Sequence, residues 1–275
     1  MICALRSSFY RFFKTGLYLK MLIFTGIMCL CICFGICFES IFFYTIGRPR
    51  YIDNGYIRMC LIVALFILPF IIAVFSSVFT GSDISYRAIN NKIATGLSRR
   101  SVYLADLIVT LVATLMIYLF YVLITFAVAK IWPLKSNIKI DNTIVNSLII
   151  VLITCISFAA VFTLIQYFFC NKLFAIVVAL LLLPSMPVVT GQLKSKLDIP
   201  YRYEVTDSES GESYWELNPK YIGGTGREVI TAVYNSCAYN MDIGNLHMEQ
   251  CVASGIIVVL ATSAGLLSIS KKEFS

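Results

Sequence analysis

Residues 59–80 read MCLIVALFILPFIIAVFSSVFT, 22 positions without a single charge. A helix rises about 1.5 Å per residue, so this stretch reaches roughly the ~30 Å thickness of a bilayer's hydrocarbon core. Outward on both sides the pattern recurs. Uncharged apolar runs fill residues 21–38, 107–129, 144–170, 173–189 and 251–270. With their flanks, the expected spans are 21–45, 59–80, 104–130, 144–170, 173–189 and 251–270. The fifth is the shortest, and Pro184 and Pro187 predict that it stops or breaks early. The fold class is therefore an all-α membrane protein with six transmembrane helices, a single domain over residues 1–275.

Composition excludes a soluble fold. The chain is 59% hydrophobic and 13% charged, whereas roughly a quarter of a soluble domain is charged. The net charge of +7 does not point to nucleic acid, because the cations sit on the flanks of apolar runs and so orient a membrane protein. Arg6, Arg11, Lys14 and Lys20 precede an apolar stretch longer than the ~7–15 residues of a signal-peptide core. No small-x-small cleavage site closes it, so a retained first helix is expected. Before it, Phe9, Tyr10, Phe12 and Phe13 alternate with Arg11 and Lys14, which suits a short interfacial helix over residues 6–17.

With both termini inside, eleven cations fall on each side of the membrane. Five of the outer ones lie in the long segment 191–250, where the positive-inside rule weakens; setting these aside leaves eleven against six and favours cytoplasmic termini. Segment 191–250 is then extracellular. It carries nine of the fifteen acids against five cations, a balance of −4 unlike the rest of the chain. Within it, Thr225 and Glu228 have capping-box spacing. Val229, Ile230, Val233, Tyr234 and Cys237 then recur at helical spacing. That apolar stripe needs a cover, either the mouth of the spans or a second copy. Residues 207–212 read as a turn-rich tip.

Seven of the ten cysteines fall inside predicted spans, where Cys acts as a small apolar residue. Cys29-x-Cys31-x-Cys33 lacks metal-ligand spacing, and helical geometry sends alternate residues to different faces. Cys237 and Cys251 share the outer side, as a disulfide or as two free thiols.

The segment between the second and third spans is the candidate for mechanism. Ser82 or Asp83 suits a helix cap, Gly96 a helix end, and Arg99-Arg100 follow. Ile84, Ala88, Ile89 and Ile93 share one face; Asp83, Arg87, Asn90, Asn91 and Lys92 fill the other. Such a helix, tied at both ends to spans, is either a stiff lever or an ordinary connector lying on the leaflet. The chain has no nucleotide-binding Gly-x-x-x-x-Gly-Lys-Ser/Thr, and Gly223-Gly224-x-Gly226 reads as a turn. Glu39 is the one acid expected within a span, at its outer end, as an outer-gate group or one snorkelling to water. Asp106, at the inner boundary, is expected to meet water. No catalytic, cofactor or metal cluster is legible, and His247 stands alone. Six spans with neither motor nor relay must borrow work.

The stretch RAINNKIATGLSRRSVYLADLI, residues 87–108, resembles the corresponding stretch of type-2 ABC transporter permeases, on Arg87, Asn91, Lys92, Gly96, Ser98, Arg99 and Tyr103. One more residue separates the Arg from the Asn than in the family's usual form. NPKYIGGTGREV, residues 218–229, is similar to the family's Asn-Pro followed by a helix, and the layout of spans agrees over the whole chain. The resemblance implies a permease subunit of an ATP-driven exporter in a bacterial cell membrane, working as a homodimer or with a similar permease. ATP and Mg would bind a separate cytoplasmic ABC ATPase. The 81–96 helix would be the coupling helix, with Asp83, Arg87, Asn91 and Lys92 contacting that ATPase. Arg99 and Arg100 would contact it or anionic lipid. The uncharged, aromatic-rich spans favour an apolar or amphipathic cargo, and small permeases of this kind resemble peptide and toxin exporters, including those for phenol-soluble modulins. The rival expectation is a sensor or immunity membrane protein whose outer segment binds a peptide while nothing crosses. An ion channel is disfavoured, since no span carries a polar or acidic ring.

Overall fold

The computed structural model describes residues 1–45, 54–85, 88–131, 139–206, 213–237 and 248–271. Helices α1 (Ile2–Lys14), α2 (Leu17–Thr45), α3 (Asn54–Ser85), α4 (Ala88–Ala94), α5 (Arg99–Ile131), α6 (Asn142–Phe169) and α7 (Lys172–Leu197) come first. A hairpin of β1 (Arg202–Thr206) and β2 (Ser213–Leu217) follows, then α8 (Gly224–Ser236) and α9 (Met248–Lys271). Six of these helices, α2, α3, α5, α6, α7 and α9, are long and apolar enough to cross a membrane. They alternate in direction, so α1 and α4 lie at one end of the bundle and α8 and the hairpin at the other.

The core is built on α3 and α6. Leu61, Leu65, Leu68 and Ile72 of α3 meet Val151, Phe158 and Phe162 of α6, all buried. Ala64 and Ala159 are also buried in this cluster, and small residues of this kind are favoured where helices pack within a membrane. The most apolar stretch of α3 is 61% buried, against 28% for α2, 12% for α7 and 22% for α9. Those three helices therefore turn most of their apolar surface outward, toward lipid or another chain.

Helix α1 is no free-floating interfacial helix. Ala4, Ser8 and Phe12, four residues apart, are all buried, as a helix laid along a neighbour requires, and that neighbour is α5. Phe12 meets Phe75 and Phe79 of α3 edge to face at 5.9 and 6.2 Å. Tyr10 and Phe13 stay exposed, the aromatic face that suits a headgroup layer.

Two sequence expectations about boundaries are corrected. Ser82 and Asp83 do not open a new helix: α3 continues through Ser85, and the Ser82 hydroxyl donates to the Phe79 carbonyl at 2.9 Å. The short helix α4 starts only at Ala88, and Gly96, at φ +90°, ends the turn after it, a conformation that a side chain would strain. The fifth span does not break at its prolines. α7 runs through Pro184 and Pro187 to Leu197. The hydroxyls of Ser185 and Thr190 donate to the carbonyls of Leu182, Met186 and Pro187, not to those of Leu180 and Leu183, which the prolines leave without an amide donor.

At the α8 end, the expected capping box does not form. α8 begins at Gly224 after an extended Gly223, with no side-chain cap, so Thr225 already lies inside the helix. The turn-rich residues 207–212 lie outside the described residues, between the two antiparallel strands, in which Thr206 stands opposite Ser213 and Arg202 opposite Leu217. The hairpin was not foreseen from sequence.

Helix α6 is capped at its N-terminus by Asp141. The Asp141 carboxylate accepts from the Thr143 hydroxyl at 2.7 Å and the Ile144 amide at 3.0 Å. These bonds hold its pKa below the ordinary 3.8, the Thr143 bond contributing most. A depressed carboxylate contributes stability that is complete above its unfolded pKa and disappears as pH falls through the lower folded value. The first turn of α6 should therefore stay protected down to about pH 3.8 and fray only below it, read as faster exchange of the Ile144 and Val145 amides. Protection that is already lost near pH 5 would contradict the cap.

Candidate functional site

The site lies where α1, α3 and α4 converge. Asp83, on the last turn of α3, is 3% exposed. A buried carboxylate must be paired, and this one has two cations. Arg11 of α1 forms an ion pair with its Oδ1, and the Lys92 ammonium of α4 reaches Oδ2 at 2.8 Å. Arg11 is further fixed by donating Nη2 to the Phe79 carbonyl at 3.2 Å, with its guanidinium 4.0 Å over the Phe79 ring. One carboxylate thus ties three helices together.

A second carboxylate lies two turns into α5. Asp106 is fully buried and accepts from the Ser8 hydroxyl of α1 at 2.8 Å and the Tyr167 hydroxyl of α6 at 2.7 Å. Tyr167 packs edge to face on Tyr103, 5.0 Å between ring centres, and the Tyr103 hydroxyl donates to the Ala261 carbonyl of α9 at 3.3 Å. Ser8 and Arg11 are neighbours on one face of α1. That helix therefore joins the Asp83 knot to the Asp106 chain, and the combined network touches α1, α3, α4, α5, α6 and α9.

The electrostatics favour holding these groups together. Burial lowers the Arg11 pKa, and the Asp106 carboxylate and Tyr167 act in the opposite sense. Burial likewise lowers the Lys92 pKa; Asp106 opposes this, and repulsion from Arg11 adds to it. Both cations therefore depend on nearby carboxylates to remain charged out of water.

This arrangement bears on three expectations. Asp106 is not solvated: once α5 begins at Arg99, it lies deep enough to be covered by α1 and α6. Glu39 is therefore not the one acid among the spans. Asp83 and Lys92, expected to contact an ATPase, pair with each other. Of the four residues expected to contact an ATPase, Asn91 is the one exposed on α4, and Arg87 lies outside the described residues. Glu39 falls near the end of α2, its side chain outside the described residues. Cys237, just after α8, and Cys251, in the first turn of α9, both carry free thiols. In α2, Cys29 and Cys33 are buried while Cys31 is exposed, so the three do not converge. Among the described residues no cluster of three or more His, Cys, Asp or Glu is placed to hold a metal ion.

Ser8 and Tyr167 escaped the sequence reading, and Arg11 was read there only as part of an interfacial helix. The signal for Ser8 was the four-residue spacing of Ala4, Ser8 and Phe12; nothing local marks Tyr167 as the partner of an acid 61 positions away. No known protein family matches this chain, and comparison with characterised proteins finds no relative.

Proposed function

We propose that this chain is the membrane permease subunit of an ATP-driven exporter, moved by a separate cytoplasmic ATPase seated against α4. The reading places the termini, α1 and α4 in the cytoplasm and the hairpin and α8 outside. It is supported chiefly by the Asp83 knot. A short helix joined through one carboxylate to α1 and α3, and continuous with α5 through the Gly96 turn, transmits a push to several spans at once. An ordinary connector resting on the leaflet would need no buried ion pairs at its root. The chain also lacks any phosphate-cradling motif of its own, which is why the motor is assigned to a partner.

The docking surface is then the exposed side of α4, Asn91 and Ala94, with Arg87 beside it in sequence; Asp83 and Lys92 stiffen it from beneath. A second permease copy would cover some of the outward-facing surface of α2, α7 and α9. The test is co-purification of the tagged full chain from native membranes. A Walker-containing ATPase should accompany the unaltered protein and be lost from the Asn91→Arg/Ala94→Arg variant, while detergent-extracted yield stays the same. If no such ATPase accompanies the unaltered protein, the transport reading falls and a sensor that binds its ligand at the α8 end takes its place.

A further inference from the structure

A cavity of about 690 Å³ lies beneath the C-terminal half of α8, between α6, α7 and α9. Its size falls within the roughly 300–1,000 Å³ of small-ligand sites. Phe158, Val161, Leu182, Met186 and Ile257 form its walls, and Val233 of α8 its roof. Of its polar members, the Ser157 hydroxyl donates to the Ile153 carbonyl at 3.0 Å and the Ser254 carbonyl at 3.4 Å, and the Ser236 hydroxyl to the Ala232 carbonyl at 2.7 Å. The interior therefore suits an occupant with an apolar body that asks for no hydrogen bond.

The rim is different. A vestibule of about 480 Å³, lined by Arg227, Glu228, Thr231 and Glu249, shares Ala232 with the cavity. Arg227 is committed elsewhere, its Nη2 donating to the Leu197 carbonyl at the end of α7 at 2.7 Å and its guanidinium 4.9 Å over Tyr221. Its Nη1 is buried and makes no hydrogen bond among the described residues. Glu228 and Glu249 are exposed, and among the described residues neither takes part in an ion pair. Of the charged residues that line the vestibule, two are acids and one, Arg227, is a cation. The charge that meets an incoming head group is negative.

We propose that this cavity binds a single-chain amphiphile with a cationic head, its apolar tail between α6, α7 and α9 and its charge beside Glu228 and Glu249. This binding does not rest on the transport reading; it requires neither an ATPase nor passage across the membrane.

Cys237 lines the cavity and reports on occupancy, while Cys3, at the far end of the bundle, serves as control. The full chain in zwitterionic nanodiscs is alkylated with N-ethylmaleimide at mildly alkaline pH, because burial raises the Cys237 thiol, and both sites are followed by peptide mass. Dodecyltrimethylammonium should slow Cys237 alkylation and leave Cys3 unchanged. Dodecyl sulfate, with the same tail, should need about tenfold more for equal protection, the combined effect of two screened charge pairs. Glu228→Gln/Glu249→Gln should close that gap without abolishing protection by either probe. Protection by neither probe, equal protection by both, or preference for the sulfate overturns the proposal. So does protection that rises with protein density and needs no amphiphile, which would assign this face to a second copy.

Discussion

Asp83→Ala is expected to be the most damaging single substitution in the chain. It leaves Arg11 and Lys92 facing each other in a site where their side chains are only 22% and 14% exposed. Removing one partner of a buried charge pair costs about 3–5 kcal/mol, and the residual exposure of the two cations puts this case near the lower figure. The loss should be local before it is global. α1 and α4 are held to α3 through this carboxylate, so their amides should exchange faster in nanodiscs while α3 and α6 amides stay protected. A stronger check is the triple variant Arg11→Met/Asp83→Leu/Lys92→Met. Replacing a whole buried charge cluster with apolar groups is often neutral or stabilising, so stability should return toward that of the unaltered chain. The stiffness attributed to the knot should not return, and under the transport reading the ATPase would still bind without driving movement. Unchanged exchange in α1 and α4 after Asp83→Ala would remove the knot from the mechanism.

The second large effect is expected at Gly265 of α9. Tyr103 is fully buried, and its ring lies so close to the Gly265 backbone that a Cβ there would overlap the ring and its hydroxyl. The ring has little room to retreat. Its hydroxyl donates to Ala261 one turn earlier on α9, and its other side packs on Tyr167. Overpacking of this kind costs about 1–3 kcal/mol, and more where backbone must shift. Gly265→Ala should therefore destabilise the α5–α9 contact, seen as unfolding at a lower detergent or temperature threshold. Gly255, on the same helix, has nothing within 4 Å of the corresponding position. Gly255→Ala should be neutral or stabilising by up to about 1 kcal/mol, from helix propensity alone. The decisive comparison is Gly265→Ala with Tyr103→Leu. Each single change should cost stability, and the pair should recover part of it. Simple additivity would mean that the two residues do not press on each other.

The two effects illustrate how unequally the molecule could be read from its residues. The spans at 59–80 and 144–170 were placed within a few residues of the apolar helices α3 and α6, because twenty or more uncharged positions have no alternative to helix in lipid. The amphipathic character of α8 was legible for the same local reason, although its cap was not. A capping box depends on where the chain enters the helix, and Gly223 and Gly224 allowed entry earlier than Thr225 required. The fifth span continues past its prolines because each removes only one backbone bond from an otherwise long apolar helix.

The site was less legible than the fold. Asp83 and Lys92 are expected from sequence to contact a partner and in the structure pair with each other; their spacing of nine residues is compatible with either. Their pairing depends on how α4 packs against the end of α3, where the Lys92 ammonium reaches Asp83 at 2.8 Å. Asp106 looked wet because its own helix seemed to start beside it; the cover comes from α1, nearly a hundred residues earlier in the chain.

Hydrophobicity adds up along a chain without reference to anything distant, so the residues alone determined that six helices here can cross a membrane and which of them are richest in apolar surface. Charge pairing is different. Whether a carboxylate is wet or buried, and which cation meets it, depends on the angle at which separate helices pack, and that was decided only when Arg11, Asp83 and Lys92 came together at one end of the bundle and Ser8 and Tyr167 closed over Asp106.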